Sequence, residues 1–222
     1  TIAGHHVHQL AEEFGTPVYV YDAGPIVTRI EQLAAFDAVR YAQKANSNLA
    51  VLDLMRRRGV VVDAVSAGEI HRALAAGYRA GPADIPEIVY TADIFDDASL
   101  DLVVQHNIPV NCGSPDMITQ YGQHAPGREI TLRINPGFGH GHSQKTNTGG
   151  AQSKHGIWHE QIDECRERAT EHNLTIAGIH MHIGSGTDLM HLSQVCGALE
   201  QVATTGGQTV HTISAGGGLP VP

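Results

Sequence analysis

Residues 175–186 read TIAGIHMHIGSG. Side chains alternate in direction along a strand, so His180 and His182 share one face while Ile179, Met181 and Ile183 share the other. The stretch closes on Gly184, Ser185 and Gly186, at what would be the C-terminal end of the strand. EITLRINPG (129–137) repeats the pattern, with Arg133 and Thr131 on one face and Leu132 and Ile134 on the other. Strands of this kind offer an apolar face to helices and a polar face to an interior.

Working outward, the same unit recurs. VRYAQKA (39–45), VVVDAVSAG (60–68), EIVYTAD (87–93), IPVNCGS (108–114) and VHTISAGGG (210–218) read as strands, each apart from the last followed by a helical pattern. With TPVYVYD (16–22) this makes about eight strand-then-helix units in series, the signature of a parallel sheet with helical crossovers. No Gly-x-Gly-x-x-Gly turn opens the first helix, which argues against a dinucleotide-binding sheet. Polar residues gather at the C-terminal ends of the strands: Lys44, Asp63, Asp93, Asn111, Arg133, His180, His182 and then Gly216 to Gly218. Barrel enzymes build their sites at that end. The fold class expected is therefore α/β, a (β/α)8 TIM barrel. With TPVYVYD placed outside it, about seven barrel strands are present, and the barrel is incomplete. The expected division is 1–22 as an N-terminal helix and strand, and 23–222 as the truncated barrel, part of a longer protein.

The 222 residues carry a net charge of −9, and the densest basic run is Arg56-Arg57-Arg58 at an expected helix end. Nucleic acid is not an expected partner. No apolar run reaches the roughly 18 residues that span a bilayer, so no membrane is expected either. TIAGHHVHQLAEEFG lacks the basic start and apolar stretch of a secretory signal. Cys112, Cys165 and Cys196 are odd in number and widely spaced, which fits a reducing cytoplasm.

Lys44 sits in YAQKANSN (41–48), with the small Ala42 two residues before it on the same face. A lysine in a partly desolvated barrel mouth is a better nucleophile toward a carbonyl, as Schiff-base chemistry with pyridoxal phosphate requires. On the octapeptide alone, a solvated lysine at a strand end is the commoner reading. HIGSG (182–186) and AGGGL (215–219) could bring backbone amides and the Ser185 hydroxyl to a phosphate, and tight turns are the plainer alternative. His182, next to the first of these, could stack on an aromatic cofactor. His180-x-His182 and His140-x-His142 could instead serve a metal, a reading ranked below stacking because chance pairs are expected among 15 histidines. Asp63 and Glu69 flank AVSAG. Arg133, an inward cation, needs an acidic or phosphate partner, with Asp63 or a ligand as candidates and a structural ion pair as the alternative. Residues 135–156 are too long for an ordinary strand-to-helix connection and are expected to form a lid.

YAQKANSN, VDAVSAGEI, RINPGFGHGHSQKTNTGG, SKHGI, GIHMHIGSG and SAGGGL together resemble the diaminopimelate decarboxylases. These are fold-type III, pyridoxal-phosphate-dependent enzymes of the alanine racemase-like barrel group, and the resemblance covers nearly the whole chain. It implies pyridoxal 5′-phosphate as cofactor and conversion of meso-2,6-diaminopimelate to L-lysine and CO2. Lys44 matches the lysine that holds the cofactor as a Schiff base, and His182 the histidine on its ring face. Ser185, Gly216, Gly217 and Gly218 match phosphate contacts, and Asp63 and Arg133 match the polar network around the lysine; no metal is implied. The resemblance also implies a further β-rich domain, to which residues 1–22 would contribute, an amino-acid substrate, a homodimer in the full-length protein, and a fragment inactive by itself. A non-catalytic pyridoxal-phosphate-binding barrel, a decarboxylase of another basic amino acid and a metal hydrolase remain as alternatives.

Overall fold

Helix starts are written into the sequence directly after the strands. Asn48, Ser66, Asp96 and Ser114 each accept a backbone N–H two or three residues on, the usual way to satisfy the open first turn of a helix. The computed structural model describes residues 1–139, 148–186, 188–205 and 209–219. Helices α1 (Val7–Phe14) and α2 (Ala23–Gln32) precede the first strand. Then follow β1 (Arg40–Ala42), α3 (Leu49–Arg57), β2 (Val61–Ala64), α4 (Ala67–Ala75), β3 (Ile88–Ala92), α5 (Asp97–Gln105), β4 (Val110–Cys112) and α6 (Pro115–His124). After β5 (Glu129–Asn135) come β6 (Ile157–Trp158), α7 (Ile162–Glu171), β7 (Thr175–His180), α8 (Leu189–Thr205) and β8 (Thr212–Ser214).

Seven strands form one parallel ladder in the order β1-β2-β3-β4-β5-β7-β8, and β6 pairs with β5 off that path. Residues from all seven line a single cavity, so the sheet curls around it. The expected incomplete TIM barrel is what forms. Register carries Thr91, Asn111, Thr131, Gly178 and Thr212 across neighbouring strands as one row. Gly178 is required there, because a Cβ would collide with the Thr131 side chain. The alternate residues Val62, Ile88, Val110, Ile130, Leu132, Ile134 and Ile179 face the helices and are buried. Tyr90, Phe95 and Tyr121 stack within that layer, with centroids 5.1 and 6.2 Å apart. Fully burying each such aliphatic side chain contributes about 1.5–3 kcal/mol.

TPVYVYD (16–22), expected to contribute to a further domain, has no ladder partner among the described residues, and Tyr19 is 86% exposed. An alternating apolar pattern favours an extended chain, but a strand exists only where a neighbour accepts its hydrogen bonds. In the other direction, β6 forms where only a loop was expected. At two residues it is too short to carry a periodic signal, and it exists because Ile157 and Trp158 dock in parallel on Ile134 and Asn135.

Candidate active site

Asp63 and Arg133 lie within the ladder, on β2 and β5, whereas the other candidate cofactor-contact residues sit on turns just beyond it. Lys44 occupies the turn after β1, while His182 and the glycine clusters follow β7 and β8. A cavity of about 720 Å³ opens among them. Lys44, Asp63, Arg133, His182, Ser185, Gly216, Gly217 and Gly218 all line it, as do His180, Thr91 and Asn111. The structure thus gathers every residue singled out for cofactor contact into one space. Glu69 does not join them. Its carboxylate accepts the Val65 N–H at 2.9 Å, and its own N–H bonds Ser66 Oγ at 3.3 Å, so it caps α4.

Asp63 is a carboxyl without enough company. Asn111 Nδ2 donates to Thr91 Oγ1 at 2.7 Å, and Thr91 in turn hydrogen-bonds Asp63. Asp63 Oδ1 is buried and finds no partner among the described residues. Burial pushes the Asp63 carboxyl up to about 6, against the pull of Thr91, Arg40, Lys44 and Arg133. Asp63, one of the candidate partners of Arg133, forms no ion pair with it. Arg133 Nη1 donates instead to Asp93 Oδ1 at 3.3 Å. Gly113 makes room for that carboxylate, since a Cβ there would collide with Asp93. The same Asp93 takes His155 Nδ1 on Oδ2 at 2.6 Å and the Gly156 N–H on Oδ1 at 3.1 Å.

The two histidines of the opening stretch are held by the β8 turn. His180 Nδ1 meets Ser214 Oγ at 2.9 Å, and His182 Nδ1 accepts the Gly217 N–H at 3.2 Å. Burial, then the Arg133 cation, pushes His180 down to about 3 and His182 down to about 4. Both rings are neutral at physiological pH, and with Nδ1 accepting, the His182 proton sits on Nε2. The Gly186 N–H donates to Gly218 O at 2.8 Å, joining the two glycine clusters. Gly216 (φ +70°) and Gly218 (φ +89°) lie in the left-handed region, and a Cβ on Gly216 would come within 2.8 Å of His182 Cβ. The clusters therefore form a cradle in which positions 216 and 218 require glycine. Among the described residues no group of three or more His, Cys, Asp or Glu side chains could hold a metal ion, and His140 and His142 lie outside them.

Residues 26–222 match the family described as pyridoxal-dependent decarboxylase, pyridoxal binding domain. The chain belongs to that family. Among relatives of the decarboxylase, it is 56% identical to the diaminopimelate decarboxylase of Streptomyces coelicolor over 212 residues, 96% of this chain and 48% of that protein. It superposes on a crystal structure of diaminopimelate decarboxylase with a TM-score of 0.90 at 56% identity, covering 96% of this chain and 51% of that one. The diaminopimelate decarboxylase of M. jannaschii, solved with L-lysine, gives a TM-score of 0.85 at 26% identity and covers 99% and 55%. The chain spans about half the length of the curated relatives it matches.

The decarboxylase family's cofactor matches the site on three counts. The cavity volume falls in the range of about 300–1,000 Å³ usual for small-molecule sites. The glycine cradle lets main chain approach an anion closely. Asp63, a cavity-lining residue, keeps unused acceptor capacity at its buried Oδ1.

What sequence reasoning missed is Asp93 as a junction. The signal available was SKHGI (153–157), which places a histidine just before a glycine and an apolar residue.

Proposed function

We propose that the protein decarboxylates meso-2,6-diaminopimelate to L-lysine and CO2, with pyridoxal 5′-phosphate in this cavity and this chain as the cofactor-binding barrel. One observation carries the reading: Lys44, His182, Ser185 and Gly216 to Gly218 come from three separate strand ends and line the same space. The name and 56% identity of the Streptomyces coelicolor relative support the substrate.

Lys44 Nζ is the nucleophile that would hold the aldehyde carbon covalently. Gly216 to Gly218 and the Ser185 hydroxyl would receive the phosphate. His182 is suited to lie on the ring face because it is neutral: its Nδ1 is already engaged by Gly217, so the imidazole neither competes for the phosphate nor repels a protonated ring. Asp63 and Arg133 supply one acidic and one cationic wall, and Asp93 neutralises part of the Arg133 charge. When bound, pyridoxal phosphate supplies an electron sink for the pair left behind by departing CO2. A dimer and a reducing compartment accompany this reading. The free thiols Cys112, Cys165 and Cys196 support the second.

Borohydride reduction of the full-length protein with pyridoxal phosphate, followed by peptide mapping, should label Lys44. CO2 release from meso-diaminopimelate should accompany it and fall more than about 100-fold in Lys44→Ala. Label on another residue, or no CO2 from well-folded, cofactor-loaded protein, would sink the proposal.

A further inference from the structure

The chain from Thr148 to Gly156 is fastened at three strand ends, and two of its anchors touch the cavity lining: His182 is part of it, and Asp93 pairs with the lining Arg133. At the β7 end, Thr148 Oγ1 donates to His182 O at 3.0 Å and the Thr148 N–H to Ile183 O at 3.2 Å. At the β5 end, Asn135 Oδ1 accepts the Gly150 N–H at 2.8 Å, and Asn135 Nδ2 donates to Gly150 O at 3.0 Å. Asn135 is only 4% exposed, so these bonds satisfy an amide that could not otherwise be buried. At the β3 end stands Asp93, one oxygen shared by Arg133 and the Gly156 N–H, the other taken by His155.

Of these fastenings, only Asp93 also holds a cavity-lining cation. Arg133 is 11% exposed at its side chain and has one hydrogen bond to a described residue, the one to Asp93. A guanidinium has five N–H donors, so most of its capacity is free to face what enters the cavity. Its aim depends on the single carboxylate that also anchors this segment.

We propose that Asp93 is a positioning residue: its carboxylate couples the aim of Arg133 to the docking of residues 148–156, and so shapes the path by which substrate reaches Lys44. The inference deepens the decarboxylase reading and rests on it for substrate, but the anchoring stands on the geometry alone. His155 brings the segment to the carboxylate through one ring nitrogen. Asparagine can place a side-chain N–H at a similar reach, whereas phenylalanine keeps the bulk and loses the donor.

The experiment compares full-length unmodified protein with Asp93→Asn, His155→Phe and His155→Asn. Without cofactor or substrate, amide exchange in the peptide covering 149–158 should quicken about tenfold or more in Asp93→Asn and His155→Phe. Exchange in the peptide covering 211–219 should stay as it was, and His155→Asn should restore slow exchange in 149–158. With cofactor bound, KM for meso-diaminopimelate should rise about fivefold or more in the first two variants, with kcat changed less. A merely structural role would lower the active fraction and hence the apparent kcat, leaving KM where it was. Unchanged exchange overturns the anchoring, and faster exchange with unchanged KM overturns its consequence for substrate. If Asp93→Asn does not fold, the two His155 variants decide. If the unmodified protein releases no CO2 from meso-diaminopimelate, the functional reading fails and the exchange result alone judges Asp93.

Discussion

The middle of the sheet and its leading flank differ in how they use apolar residues. Helices α3 to α6 each bury three or more side chains against β1 to β5. Helices α1 and α2 bury none, and between them Val18, Tyr19, Val20 and Tyr21 stand exposed. Both regions are amphipathic. The difference is that Leu52 and Ile70 meet a sheet face already fixed by register, whereas Tyr19 stands 86% exposed and Tyr21 is half exposed. Amphipathicity states a demand for a partner; only topology says whether it is met.

The sharpest way to break this comparison is a pair of truncations. Leu52→Ala, at a fully buried position, should cost about 2–5 kcal/mol in urea unfolding. Tyr19→Ala should cost within about 0.5 kcal/mol. A large loss at Tyr19 would mean that something packs on the flank after all.

The next test is pH, which acts on the middle. His180 and His182 have folded-state values below that of a free imidazole, so they favour the folded state above about 6.5 and lose that contribution as pH falls through about 4 and then 3. Asp63 works oppositely: its raised value favours the folded state below about 3.8, a contribution lost as pH rises through about 6. Two histidine shifts outweigh one carboxyl shift, so stability should fall on going from pH 7 to pH 4. Roughly 3 kcal/mol of that fall should vanish in His180→Asn. An equal pH slope in the variant would refute the buried, neutral histidine.

The smallest effect contrasts neighbours on the trailing flank. Gly216→Ala should weaken pyridoxal phosphate binding about tenfold, because the new Cβ meets His182 and the backbone is left-handed. Gly217→Ala should change it less than about threefold, since nothing lies within 4 Å of a Cβ there. Titration of apo protein by absorbance reads both, and equal losses would mean that the cradle is not set as described.

Much of this arrangement was legible. Alternation placed Arg133, His180 and His182 on the polar strand faces, and glycine runs marked the two turns that meet at the mouth. Illegible was the pairing of Arg133, because facing inward is a local property while a partner is chosen across strands. Asp93 wins over Asp63 because Gly113 clears space for its carboxylate, a contact between residues 20 apart that no periodicity encodes. Lys44, His182, Ser185 and the Gly216 to Gly218 cluster lie past the ladder ends, where turn geometry rather than alternation decides direction. TPVYVYD has a period of two but no ladder partner among the described residues.

One feature beside the Asp93 anchor has an optical consequence. The chain's single tryptophan is Trp158, half-buried on β6 with its indole 4.6 Å from the His159 ring. It lies two residues beyond the fastening at Asp93. Its fluorescence is therefore a native probe of the segment whose Gly156 N–H is held by Asp93. Loosening of that anchor could be followed without any label attached.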